Sequence, residues 1–243
     1  MPLPAPADRS SAEGQFAVVE RGLTGEAGHG EVPTPTLPAH GFVHVAGATI
    51  LLDHVTEYEL VDGRELALTV LRSTGLISRN DNPFREDPAG PEVPVPAAQM
   101  VGPWQLAFGL LPTAGSWDAP EVLAAAEAYQ LPFVTAPGRA EAGQSGAAEE
   151  TRPGPGSAGL RIDGRGVVLS ALRRRGDELE LRLVAKTATD TQATISGQQI
   201  VTARDVDLLG RPGPDRPVEP DGSLRLALRA WEIRTIRVRL APA

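Results

Sequence analysis

VTEYELVDGRELALTVLR, residues 55–72, is built as two β-rich runs on either side of Val61-Asp62-Gly63-Arg64. Asp-Gly between two such runs is a hairpin signal, because the tight turn needs a positive φ that glycine adopts without a Cβ penalty. Working outward, FVHVA (42–46) and ATILLD (48–53) are further short β-rich runs, and WQLAFGLLP (104–112) reads as a buried strand. Beyond residue 160 the pattern has a period of two. Leu179, Leu181 and Leu183 alternate with charged residues, Leu224, Leu226 and Leu228 alternate with Arg and Ala, and Ile236, Val238 and Leu240 alternate with Arg237 and Arg239. That period marks antiparallel strands with one wet face. Together with VVLSAL (167–172), ATIS (193–196) and VDLLG (206–210), it predicts a small β-sandwich. Arg173-Arg174-Arg175 before Gly176-Asp177 reads as a hairpin turn in preference to an anion site.

One helix is expected, over residues 119–130. Asp118 is placed to cap it, Glu121 to complete a capping box and Pro120 to sit in its first turn, ahead of the helix-forming VLAAAEAYQ. The expected organisation is a disordered tail at 1–14, a first β portion at 15–135, a low-complexity linker or loop at 136–159 and a terminal β-sandwich at 160–243. Residues 21–41, rich in Pro and Gly, read either as an extended strap over a sheet or as a floppy linker. Residues 73–98 carry Pro83, Pro88, Pro91, Pro94 and Pro96, which exclude a helix or a central strand. A loop of that length is functional or disordered.

Composition narrows the chemistry. The 243 residues include 31 Asp and Glu against 23 Lys and Arg, a formal charge of −8 that argues against general nucleic-acid binding. There is no cysteine, so disulfides, thiolate metal sites and a cysteine nucleophile are excluded. Lys186 is the only lysine, a bias that reads as GC-rich bacterial coding, and no apolar run suggests a membrane span or leader; the expected location is cytoplasmic. His29, His40, His44 and His54 include three within fifteen residues, but their spacing does not define a ligand set, and ordinary strand or surface histidines are the preferred reading. Serine-nucleophile and phosphate-loop motifs are absent. Trp104, Trp117 and Trp231 offer a sugar platform or, in a chain with 4% aromatics, core and interdomain packing; the second is preferred.

Glu57-Tyr58-Glu59-Leu60, LALTVLRSTGLISRNDNPFR (66–85), AGP (89–91) and AAQMVG (97–102) resemble the C-terminal region of bacterial glycoside hydrolase family 38 enzymes, the α-mannosidases and mannosylglycerate hydrolases. Thr69, Leu71, Arg72, Ser73, Gly75, Ser78, Arg79, Asp81, Arg85, Gly90, Pro91, Pro96, Gln99 and Gly102 carry the likeness, which extends more weakly over about residues 15–240. LRLVAKTATD (181–190) departs from it where the family has an Asn after the apolar run. The resemblance implies an all-β fold: part of a galactose-mutarotase-like supersandwich plus a smaller terminal sandwich, both antiparallel. It also implies a catalytic barrel, with its zinc-type divalent metal, that this chain lacks. The chain alone is therefore expected to hold no catalytic residue, metal or cofactor and to hydrolyse nothing. Its expected partners are that barrel or a partner chain of the same enzyme, a second copy, and a mannose-type carbohydrate. Substrate contact, if this region makes any, is expected from Arg79 with Asp81 and from Arg85 in the long loop; the other reading is that these residues pair with each other and shape the loop. A stand-alone carbohydrate-binding or structural β-sandwich is the alternative function.

Overall fold

The structure, a computed structural model, describes residues 1–131 and 159–242 and divides into two compact units, Met1–Pro132 and Phe133–Ala243. Both are mostly β, with antiparallel sheets. Of the low-complexity linker or loop expected at 136–159, residues 136–158 lie outside the described residues.

The first unit contains β1 (Ser10–Glu13), β2 (Val18–Arg21), β3 (Thr36–Pro38), β4 (Phe42–Val45), β5 (Ala48–Asp53), β6 (Glu57–Val61), β7 (Glu65–Leu68), β8 (Ala107–Pro112) and α1 (Pro120–Gln130). One sheet runs β2-β1-β4-β5-β8 and the other β3-β6-β7. Alternation aims Val43, Val45, Ile50 and Leu52 of the first sheet into the same core as Leu37, Tyr58, Leu60 and Leu66 of the second. Each such side chain taken fully out of water contributes about 1.5–3 kcal/mol. The β6–β7 turn is the one the sequence predicts: Asp62 and Gly63 take φ of 50° and 64°, and the Arg64 N–H donates to the Val61 carbonyl at 2.9 Å. Gly63 is needed twice, because a Cβ there would also stand 2.5 Å from the Ala7 carbonyl oxygen.

That contact belongs to a correction. The expected disordered tail, residues 1–14, is part of the sandwich. Main-chain N–H groups of Leu3 and Ala7 donate to the Arg64 and Gly63 carbonyls at 2.8 Å, and the Leu66 N–H donates to the Met1 carbonyl. Ser10–Glu13 then enters the larger sheet between β2 and β4. Few apolar side chains are needed for this, since a strand is fixed by its ladder, and buried Ser10 shares a 2.8 Å hydrogen bond with the Tyr58 hydroxyl. The strap reading holds in part: Thr36–Pro38 is β3, paired with β6.

Two further expectations change. The helix begins at Pro120, but its N-cap is Ala119 and no side chain caps it, because Asp118 instead accepts the Ser116 hydroxyl. β8 is paired with β5 yet is an exposed edge: Phe108 and Leu110, opposite the buried Leu52 and Ile50, are 58% and 60% exposed. The three-stranded sheet that covers Ile50 and Leu52 does not seal β8.

The second unit contains β9 (Arg161–Asp163), β10 (Val167–Arg175), β11 (Glu178–Ala185), β12 (Thr191–Ser196), β13 (Ile200–Val206), β14 (Pro212–Arg216), β15 (Leu224–Leu228) and β16 (Ile233–Leu240). A five-stranded sheet, β10-β11-β16-β13-β14, packs on a three-stranded one, β15-β12-β9, around Leu181, Leu183, Ile195, Leu226, Ile236 and Val238. The alternating residues read from sequence therefore form its core. VDLLG is a strand only as far as Val206. The Asp207 carboxylate then accepts the N–H groups of Leu209 and Arg211, each at 2.9 Å, and folds the chain into a turn that leaves Leu208 and Leu209 exposed.

The outer face of the five-stranded sheet carries an ion ladder. Glu180 is inaccessible beneath two guanidinium groups: Arg173 Nε donates to it at 2.6 Å from β10 and Arg237 Nε at 2.9 Å from β16. Burial raises the Glu180 pKa, but the paired hydrogen bonds and charges outweigh it and hold the carboxyl below its ordinary value. On the other side Asp205 accepts Arg216 Nε at 2.9 Å and Arg234 at 2.9–3.1 Å, and Arg234 also donates to the Ala227 carbonyl of β15. One arginine thus ties the two sheets together. Desolvation opposes the Asp205 charge, and the hydrogen bonds from Arg216 and Arg234 win, so this carboxyl is lowered as well.

Candidate functional site

Between β7 and β8 the chain leaves the sandwich of the first unit as an arm. No residue from 67 to 112 is buried. The arm is nonetheless ordered by main-chain pairing. Thr74 and Ala98, Ile77 and Val93, and Val95 and Gly75 are joined by N–H to carbonyl hydrogen bonds of 2.9–3.0 Å, with an isolated bridge between Leu76 and Pro94. At its tip the Val32 N–H donates to the Phe84 carbonyl at 2.8 Å and the Glu86 N–H to the Gly30 carbonyl at 3.0 Å, so the strap grips the arm.

The three residues expected to touch substrate lie at this tip. Arg79 and Asp81 face each other at 3.6 Å, both well exposed. Arg85 does not join them; its backbone bridges Glu31 in the strap, and its Nε is shielded from solvent with no hydrogen-bond partner among the described residues. The Ser78 hydroxyl is shielded in the same way. None of Arg79, Asp81 or Arg85 lines either of the two cavities described next.

The base of the arm forms a groove that sequence reasoning missed, a cavity of about 420 Å³ lined by His54, Thr56, Glu57, Thr69, Arg72, Met100 and Trp104 among others. Three separate segments build it. The Thr69 N–H donates to the Glu57 carbonyl at 3.0 Å, which brings the start of the arm beside β6 and lets Arg72 form an ion pair with the Glu57 carboxylate. From the other end of the arm, Trp104 donates its indole N–H to the Met100 carbonyl at 2.6 Å and remains 55% exposed. His54, just after β5, has a ring nitrogen 2.6 Å from the Asp53 carboxylate. His54 and Met100 both adopt left-handed backbone, with φ of 61° and 53°. Phe16, Ala46, Asp62 and Trp231 take the same backbone region elsewhere, and histidine adopts it more readily than most residues.

A second cavity of about 310 Å³ meets the first at Thr56 and Glu57 and includes Glu13, Arg21 and His40. Glu13 is buried against Gly41, where any Cβ would collide with its carboxylate. Arg21 Nε is shielded and has no hydrogen-bond partner among the described residues.

The remaining candidates are structural. His44 shares a 2.8 Å hydrogen bond with Thr49, which is bonded in turn to Thr113, and burial lowers the His44 pKa. Among the described residues no three His, Asp or Glu groups are gathered so as to hold a metal, and no helix is long and apolar enough to cross a membrane. Trp117 and Trp231 are partly exposed and line neither cavity. The groove thus sets a fixed indole near a paired guanidinium and carboxylate. No protein-family model matches the chain, and no curated protein matches it.

Proposed function

We propose that this chain is the non-catalytic C-terminal β-region of a family 38 α-mannosidase-like glycoside hydrolase of the bacterial cytoplasm, supporting a catalytic barrel and walling its sugar site. The observation that carries the reading is the arm. Over residues 69–106 nothing is buried: Ile77 is 65% exposed and Val101 93%, and the adjoining β8 leaves Phe108 58% and Leu110 60% exposed. Apolar side chains left in water in such number mark a surface made to be covered. The same segment carries the residues that resemble the family. β8 also ends its sheet with an open edge among the described strands, a ready site for another chain. In this reading the zinc-type metal and the chemistry belong to the barrel, and this chain supplies shape and sugar-facing walls.

The second reading, a carbohydrate-binding or structural module, draws its support from Trp104 and its groove. Hydrolysis of an aryl α-mannoside with added zinc or cobalt separates the two. The chain is assayed alone and after mixing with the polypeptide encoded beside it. The proposed function predicts turnover in the mixture only, with the two chains eluting together. Turnover by the chain alone would overturn it, and inactivity of both samples would leave the binding module in its place.

A further inference from the structure

The groove at the base of the arm joins three features that point to one kind of ligand. Its volume, about 420 Å³, lies within the ~300–1,000 Å³ of small-molecule sites. Its aromatic wall is fixed: the Trp104 indole N–H is already spent on the Met100 carbonyl, so the edge is occupied and the ring faces are what remain for a ligand. Its polar wall is an opposed pair, Arg72 and Glu57, which together offer hydrogen-bond donors and acceptors side by side with their charges cancelled. A free cation or anion gains little from such a wall. A neutral ring with an apolar face and adjacent hydroxyls gains from both walls at once.

We infer that the groove is a pyranose-binding subsite, in which Trp104 stacks on the apolar face of a sugar ring while Arg72 donates to, and Glu57 accepts from, a vicinal pair of its hydroxyls. The inference deepens the carbohydrate-binding reading given above, on which it rests, and requires only this chain and no barrel. It also moves the sugar contact away from Arg79 and Asp81, whose ion pair lies at the tip of the arm.

Calorimetric titration of the full chain with methyl α-D-mannopyranoside, and separately with methyl α-D-glucopyranoside, tests it. At least one sugar is expected to bind saturably, with a dissociation constant on the order of a millimolar for so small a ligand. Trp104→Ala is expected to abolish binding and Trp104→Phe to retain part of it, because stacking survives on a smaller ring. Arg72→Ala is expected to weaken binding about tenfold through loss of charged hydrogen bonds. Arg72 is exposed, so this variant reports on the site even if Trp104→Ala fails to fold, which a thermal melt reveals. Absence of saturable binding by the wild-type chain for both sugars overturns the inference. So does binding that is unchanged in the Arg72 and Trp104 variants. Failure of the mannoside hydrolysis test would remove the barrel and leave this result standing.

Discussion

Leu226 and Ile77 are both large aliphatic residues, yet the first is sealed between the two sheets of the second unit and the second stands 65% exposed on the arm of the first. Around Leu226 every apolar position of a period-two pattern finds the opposite sheet. Around Ile77 the backbone makes only scattered bonds, such as the Ile77 N–H to the Val93 carbonyl at 2.9 Å, and no second layer among the described residues covers its side chain. Main-chain pairing and core packing are therefore separable, and the arm keeps a few of the first kind of contact with no core behind them.

Removing core from each region gives the sharpest contrast. Leu226→Ala is expected to destabilise the second unit by about 2–5 kcal/mol, the usual cost of a cavity in a closed core, whereas Ile77→Ala should change stability by less than about 0.5 kcal/mol. Denaturant unfolding of both variants checks this, and a large loss at Ile77 would show that the arm has a hidden packing partner. Next in size is the turn that fastens residues 1–7 to the first unit. Gly63→Ala places a Cβ against the Ala7 carbonyl at a φ of 64° and is expected to cost about 1–3 kcal/mol. Hydrogen exchange should show faster opening of residues 3–7 with the second unit unchanged. The smallest effect is on acid stability. Because the Glu180 and Asp205 pKa values are lowered in the folded state, their contribution is complete above the ordinary carboxylate range, about pH 4. It is lost as pH falls through the lowered folded values. Melting temperature measured down that range should fall more steeply for the wild-type chain than for Asp205→Asn, and equal slopes would remove the ion ladder from the account.

Much of the second unit was legible because alternation is a local signal: Leu181, Leu183, Leu224, Leu226, Leu228, Ile236 and Val238 all announce their face by their neighbours. Asp62-Gly63 and Gly176-Asp177 were legible because turn geometry selects glycine. Less was legible where a residue's fate depends on a distant strand. The apolar run at 104–112 looks buried in sequence, but whether it is sealed depends on how far β3, β6 and β7 extend across the sandwich. Ser10–Glu13 looks unstructured, yet its burial rests on Tyr58, forty-eight positions beyond Ser10. The groove was hidden for the same reason. His54, Arg72 and Trp104 share no motif and meet only because Thr69 pairs with Glu57 and the two ends of the arm return to one place. The one usable hint was that Trp104 adjoins the segment with the family resemblance, and the preference for core packing set it aside.

The arm is fastened at its base and tip chiefly by bonds between peptide groups, from Thr74 with Ala98 to Val32 with Phe84 and Glu86 with Gly30. Those bonds are indifferent to side-chain identity wherever the backbone conformation is kept. Substitutions along the arm can therefore accumulate without redirecting its path, in the way variable loops diversify on a constant frame. Natural variation confined to this stretch would alter what the surface recognises while leaving the sandwich beneath it, and its folding, untouched.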